Sequence, residues 1–148
     1  MRKLVALLCL GLLAALPLPA GAQDVREVVP MPPEVQRDML IAMRDHLIVL
    51  DTILSDVATE RYSEAARMAE ERLRASPFDP EKEKVFAAHM TEEMREADAA
   101  LRQSAKGLAV AIRKLDADRN FAASKGVSAA VSNVTAICVS CHTRNRLR

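Results

Sequence analysis

Through four long stretches of this chain apolar residues return every three or four positions, a period that admits amphipathic helices and excludes a sheet of alternating strands. Leu40, Met43, Leu47, Leu50, Leu54 and Val57, with Met39, His46 and Ile53 beside them, predict helix A over 33–59. Pro33 suits its first turn, where a missing N–H is no loss, and Glu34 complements the helix dipole there. Tyr62, Ala65, Ala66, Ala69 and Leu73 give a narrow, alanine-rich helix B over 63–75. Two prolines in SPFDPEKE end it, and Asp79-Pro80-Glu81 reads as an N-cap followed by proline at the first helical position. Helix C starts there or at Thr91, carries Met90, Met94, Ala97, Leu101, Ser104, Leu108, Ala111, Ile112 and Leu115, and runs to about 116. Gly107 inside it suggests the close approach of another backbone. Asn120 caps helix D, whose inner face reads Val127, Ala130, Val131, Val134, Ile137 and Cys141. Four such helices with short connections predict an all-α fold, an antiparallel up-down-up-down four-helix bundle.

Residues 1–22 are not read as fold. Arg2 and Lys3 precede an apolar run of 13 residues, Leu4 to Leu16, and Ala20-Gly21-Ala22 offers small residues for cleavage, the pattern of a secretory signal peptide. The run is shorter than the ~20 residues that cross a bilayer, so processing is expected to leave a periplasmic protein with no transmembrane anchor. Removing 22 of 148 residues leaves a domain over 23–148, in which 19 of the 21 Lys and Arg face 20 Asp and Glu. Such balance argues against a nucleic-acid partner, whose footprint is a basic excess. The prolines of QDVREVVPMPP make 23–33 an extended lead-in.

Cys9 leaves with the signal peptide, so the mature chain keeps Cys138 and Cys141. A disulfide three residues long closes too short a loop to stabilise much, and these thiols call for another explanation. Cys138-Val139-Ser140-Cys141-His142 is C-x-x-C-H, the signature of covalent c-type haem attachment. Two thiols three apart suit the two vinyl groups on one haem edge, with the next imidazole under the iron. A redox pair usually opens a helix, where the dipole lowers the thiol pKa, and here the motif closes one. A zinc site would need further ligands that His46 and His89 alone could offer. Alternating helices bring Met31, Met39, Met43, Met68, Met90 and Met94 to the same end of the bundle as the motif.

A C-terminal CxxCH on the last helix of an exported bundle of this length resembles the class II c-type cytochromes, the cytochrome c prime group and its low-spin relatives. Arg146, four after the histidine, matches a basic residue usual there, whereas Asn145 departs from the aromatic often found at its position. The resemblance implies haem c tethered by Cys138 and Cys141, His142 as proximal ligand, and a distal side covered by helix A. Low-spin members add a methionine from early helix A, here Met43 or Met39. Members with an apolar residue there stay five-coordinate, and alignment on Ala42-Met43-Arg44-Asp45-His46 puts Leu40 at that position. Relatives of this kind pair through helices A and B, so a homodimer is a further expectation.

The function expected is single-electron transfer between redox partner proteins. The alternative is a five-coordinate protein that binds nitric oxide or carbon monoxide, and the third reading is a haem-free thiol redox or metal-binding bundle. No paired carboxylates, nucleophile triad or phosphate loop points to an enzyme. Outside the motif, plain structural readings compete. Met68, Met90 and Met94 read as flexible gap-fillers, and His46 and His89 as partly buried helix residues bonded to a neighbour. Together with Met39 and Met43 they form at most a second, soft-metal site. The tail from Arg144 to Arg148 reads as a frayed terminus, or as a patch for an acidic partner or haem propionates.

Overall fold

The computed structural model describes residues 23–75 and 78–148, so the expected signal peptide lies outside it. The described chain is mostly helical. A short strand β1 (Glu27–Val29) leads into α1 (Pro33–Ala58). Then come α2 (Tyr62–Met68), which continues as a π-helical segment (Ala69–Leu73), α3 (Pro80–His89), α4 (Glu92–Asp118) and α5 (Phe121–Arg144), and a last strand β2 (Asn145–Leu147).

Local chemistry sets most of these boundaries. Pro33 stands at the start of α1 with Glu34 in the first turn. The Asp79 carboxylate accepts from the backbone N–H groups of Glu81 and Lys82, Thr91 Oγ1 accepts from Met94, and the Asn120 side chain accepts from Ala123. Each takes up donors that the first turn of a helix leaves without partners. Both expected starts of helix C are therefore real: Met90 adopts an extended backbone between them (ψ 143°) and divides the stretch into α3 and α4. Helix B changes from α to π hydrogen bonding after Met68 instead of running on regularly.

α1 packs on α2 and its π segment, α2 on α4, and α4 on α5. The main core draws on all four: Val49 and Ile53 of α1, Ala65, Ala66 and Ala69, then Leu101, Ala105, Leu108, Ile112 and Leu115 of α4, and Ala123, Val127 and Val134 of α5. The alanines of α2 let two neighbours approach closely, which suits its narrow face. Asp56 is buried near the end of α1, where its carboxylate accepts from Arg61 Nε at 3.0 Å. Gly107 is exposed, and a Cβ there would meet nothing within 4 Å. No backbone approaches it, contrary to the expectation.

The tail is not frayed. β2 pairs with β1 in parallel, Glu27 opposite Asn145, Val28 opposite Arg146 and Val29 opposite Leu147. Arg148 N–H donates to Val29 and Met31 N–H to Arg148. This ribbon ties the entry to α1 to the exit from α5, so the start of α1 and the end of α5 share one end of the molecule. Among the described residues one helix, α5, is long and apolar enough to cross a membrane by length and composition. Here its valines Val127 and Val134 are buried in the main core.

Candidate functional site

A second apolar cluster lies at the end tied by the ribbon. Val29, Met31, Val35, Met39, Phe86 and Met94 are buried in it, and Met43, Phe78, Met90, Cys141 and Leu147 pack against it. β1, the N-terminal part of α1, the C-terminal half of α3, the first turn of α4 and the end of α5 thus converge there. Met68 does not join them; it packs on the main core, because three residues after Ala65 it shares the inward face of α2.

Cys138 and Cys141 sit one helical turn apart near the end of α5, both free thiols and both half-buried. That spacing sets them on one side of the helix. Burial pushes both thiols above the ordinary value of 9.0; for Cys141 the side chain of Asn145 pulls the other way. Cys138 Sγ is 3.4 Å from the Val134 carbonyl, the weak bond a protonated thiol makes to the preceding turn. His142 is exposed, and Arg26 Nη1 donates to its carbonyl at 3.4 Å.

Cys141 lines a groove of about 380 Å³ between α4 and α5, with Ala97 and Ala100 on one wall and Ala136, Ile137 and Asn145 on the other. Glu93, Glu96, Ser140 and Arg144 complete its lining. Asn145, buried at the end of α5, donates from Nδ2 to the Cys141 carbonyl at 3.2 Å, while its Oδ1 has no hydrogen-bond partner. Cys141 and Asn145 line this groove, whereas Cys138 and His142 do not.

A cavity of about 270 Å³ opens on the other side of α4. Its lining includes Met39, Ala42, Met43 and His46 from α1, Leu73 from the π segment, Phe78, Phe86 and Met90. Phe78 and Phe86 stack with centroids 4.7 Å apart. Asp98, Arg102 and Glu83 form its polar edge, with Arg102 Nε donating to Asp98 at 2.8 Å. His46 is half-buried there, and burial holds its imidazole below the ordinary 6.5, outweighing the pull of Asp45 and Asp98.

The residues expected on the distal side therefore separate. Met39 is 4% exposed and inward. Met43 is half-buried beside it. Leu40 is 41% exposed on the outer side of α1 and faces neither cavity nor groove. Of the other soft-metal candidates, Met90 lines the cavity and Met94 is buried in the second cluster. His89 spends its Nδ1 on the Val85 carbonyl at 2.8 Å. Among the described residues no three His, Cys, Asp or Glu side chains gather where a metal ion could be held, so the zinc grouping of both cysteines with His46 and His89 does not assemble.

The ribbon also brings Asp24 and Arg26, which the sequence reading passed over, to the basic tail. Asp24 accepts from Arg26 at 2.7 Å and lies 3.6 Å from Arg146, and Arg26 beside it holds its carboxyl well below the usual range. Arg144 lies 3.7 Å from Glu93 across the groove. Val28 and Val29 beside a proline were the available signal, too short to read as a strand. Comparison with protein-family models, with curated proteins and with solved structures finds no match for this chain.

Proposed function

We propose that this is an exported c-type cytochrome: a four-helix protein of antiparallel up-down-up-down topology that carries covalent haem at one end and moves single electrons between redox partner proteins in the periplasm. Cys138 and Cys141 are its tethers, His142 its proximal ligand, and Met39 or Met43 its distal ligand. Bound there, the haem supplies a one-electron iron couple whose potential a thioether ligand raises.

The observation that carries this reading is the state of the thiols. Two cysteines one turn apart stand free and half-buried near the end of α5, and Cys141 lines the groove and packs against the apolar cluster into which α1 brings Met39 and Met43. Burial that keeps the thiols protonated disfavours the reactive thiolate that a redox dithiol needs. The outward aspect of Leu40 speaks for a methionine on the distal side.

The test is expression with the c-type attachment machinery, acid-acetone extraction, and an absorption spectrum of the reduced protein before and after carbon monoxide. Haem that resists extraction and a sharp low-spin spectrum unmoved by the gas are expected. Haem that extracts freely, or none at all, overturns the covalent reading. A broad spectrum that shifts with the gas replaces electron transfer by gas binding.

A further inference from the structure

One face of α1 brings Met39, Met43 and His46 to the cavity of about 270 Å³, and Met90, the residue that ends α3, comes to it from the other side. Met90 is pinned there: Arg95 Nη1 donates to its carbonyl at 2.6 Å, and its own N–H donates to the Phe86 carbonyl at 3.1 Å. His46 is half-buried and, unlike His89, makes no hydrogen bond to a described residue, contrary to the expectation of a bonded neighbour. A wall that only packs has no use for an unpartnered imidazole among three thioethers. Asp98 lines the same cavity and acts on the charge of His46, and a carboxylate close to a ligating imidazole is its usual support. Glu83 and Asp98 stand partly exposed at the polar edge, where they favour the entry of a cation.

We propose that this cavity is a second metal site, which takes Cu(I) through the His46 imidazole, the Met90 thioether and whichever of Met39 and Met43 the haem iron leaves free. The donor set selects the metal. Thioethers are soft ligands that favour Cu(I), and imidazole suits copper too, whereas Zn(II) asks for thiolates, carboxylates or several imidazoles. Among the described residues no three His, Cys, Asp or Glu gather here to serve such a harder ion. The structure also narrows the candidates: Met94 and His89 do not line the cavity, and Met68 packs on the main core. Phe78 and Phe86, stacked in the same wall, shield a cation that water and oxygen would otherwise reach. The ion enters and leaves as Cu(I), and no electron changes hands. The proposal does not rest on the haem reading: with iron on one methionine three donors remain, enough for a trigonal site, and without haem all four do.

Two chains are titrated anaerobically with Cu(I) against bicinchoninate: the haem-loaded mature chain, whose cysteines are consumed in thioether bonds, and a haem-free Cys138→Ser, Cys141→Ser chain. Each should take up one copper, and the thiol-free chain reports on the site even if the haem reading fails. His46→Gln and Met90→Leu should each weaken binding at least tenfold, since losing even an outer partner of a metal ligand costs about that much. His89→Gln and Met94→Leu, off the cavity, should stay within about twofold of the parent. X-ray absorption at the copper edge should show sulfur and one imidazole nitrogen in the first shell, and equimolar Zn(II) should not displace the copper. These substitutions nearly keep side-chain volume, and unchanged circular dichroism in the same samples shows that the variants fold. No copper retained by either chain, binding indifferent to both His46→Gln and Met90→Leu, a first shell without sulfur, or ready displacement by Zn(II) overturns the proposal. A haem spectrum that Cu(I) turns from low-spin to high-spin overturns the division of the methionines, because the two metals then compete for one ligand.

Discussion

Replacing Met39 or Met43 by leucine separates packing from iron ligation. Met39 is 4% exposed within the second apolar cluster, so truncation to alanine would cost about 2–5 kcal/mol in lost transfer energy and cavity. That is a large part of the 5–15 kcal/mol typical of a domain, and any spectral change would then be confounded by loosening of the fold. Leucine keeps nearly the same volume and costs less than about 1.5 kcal/mol, roughly 6 °C at most in the melting temperature of a domain of this size. The half-buried Met43 should be less sensitive still. Leucine also has no lone pair to give. In whichever variant removes the ligand, the reduced protein should turn high-spin, bind carbon monoxide and fall in potential, with its melting temperature near that of the parent. The other variant should keep the parental spectrum, and so should Leu40→Ala, with stability within about 0.5 kcal/mol as suits an exposed position. If both leucine variants keep a low-spin spectrum that carbon monoxide does not move, neither methionine is the ligand, and the methionines of this end are packing alone.

Three further outcomes follow from the same coordinates. Gly107→Ala should raise stability by up to about 1 kcal/mol, because the site is exposed, helical and open around a new Cβ; a loss in urea unfolding would mean that a backbone does approach there. His46 is held below its ordinary 6.5, so near that pH the unfolded chain binds more protons than the folded one, and stability is complete above pH 6.5 and falls as pH drops through the folded value. Urea midpoints between pH 5 and 8 should show this slope flattened by His46→Gln, and an unchanged slope would assign it elsewhere. In the haem-free chain both thiols, raised by burial, should alkylate more slowly at pH 8 than an exposed cysteine peptide, and mass spectrometry that finds them faster would refute the assignment.

What the sequence made legible divides by the range of the signal. Helix α1 with Pro33, and α5 with the Asn120 cap, rest on patterns within a few residues and appear in the structure as read. The stretch 80–118 carries two capping signals of equal quality, and a reading that allows only one helix start must discard one; the chain uses both by extending Met90. The π turn at Ala69–Leu73 packs against both α1 and α4, and a periodicity of small residues does not encode the change from α to π hydrogen bonding. The β1–β2 ribbon joins residues more than a hundred positions apart through strands of three, too short for alternation to show. Met68 went astray for a related reason: assigning a residue to an end of the molecule ignores which face of its helix it occupies.

The composition of the two apolar clusters bears on the site. The main core is built from Ala, Val, Ile and Leu, side chains with few and well-defined rotamers, and it fixes how α1, α2, α4 and α5 lie against one another. The second cluster is built largely from Met31, Met39, Met43, Met90 and Met94 with Phe78 and Phe86. Methionine has three rotatable bonds and a polarizable sulfur, so it fills irregular space and gives way to a changing shape, a poor choice for specifying a helix packing and a good one for walling a bulky group. A chain that needed only a closed bundle would gain nothing from changing its core chemistry at the end where Cys138, Cys141 and His142 lie. Anchoring that adaptable end falls to the ribbon, whose Val29 and Leu147 join the cluster at its edge, and to Asn145, which holds the last turn of α5 beside Cys141.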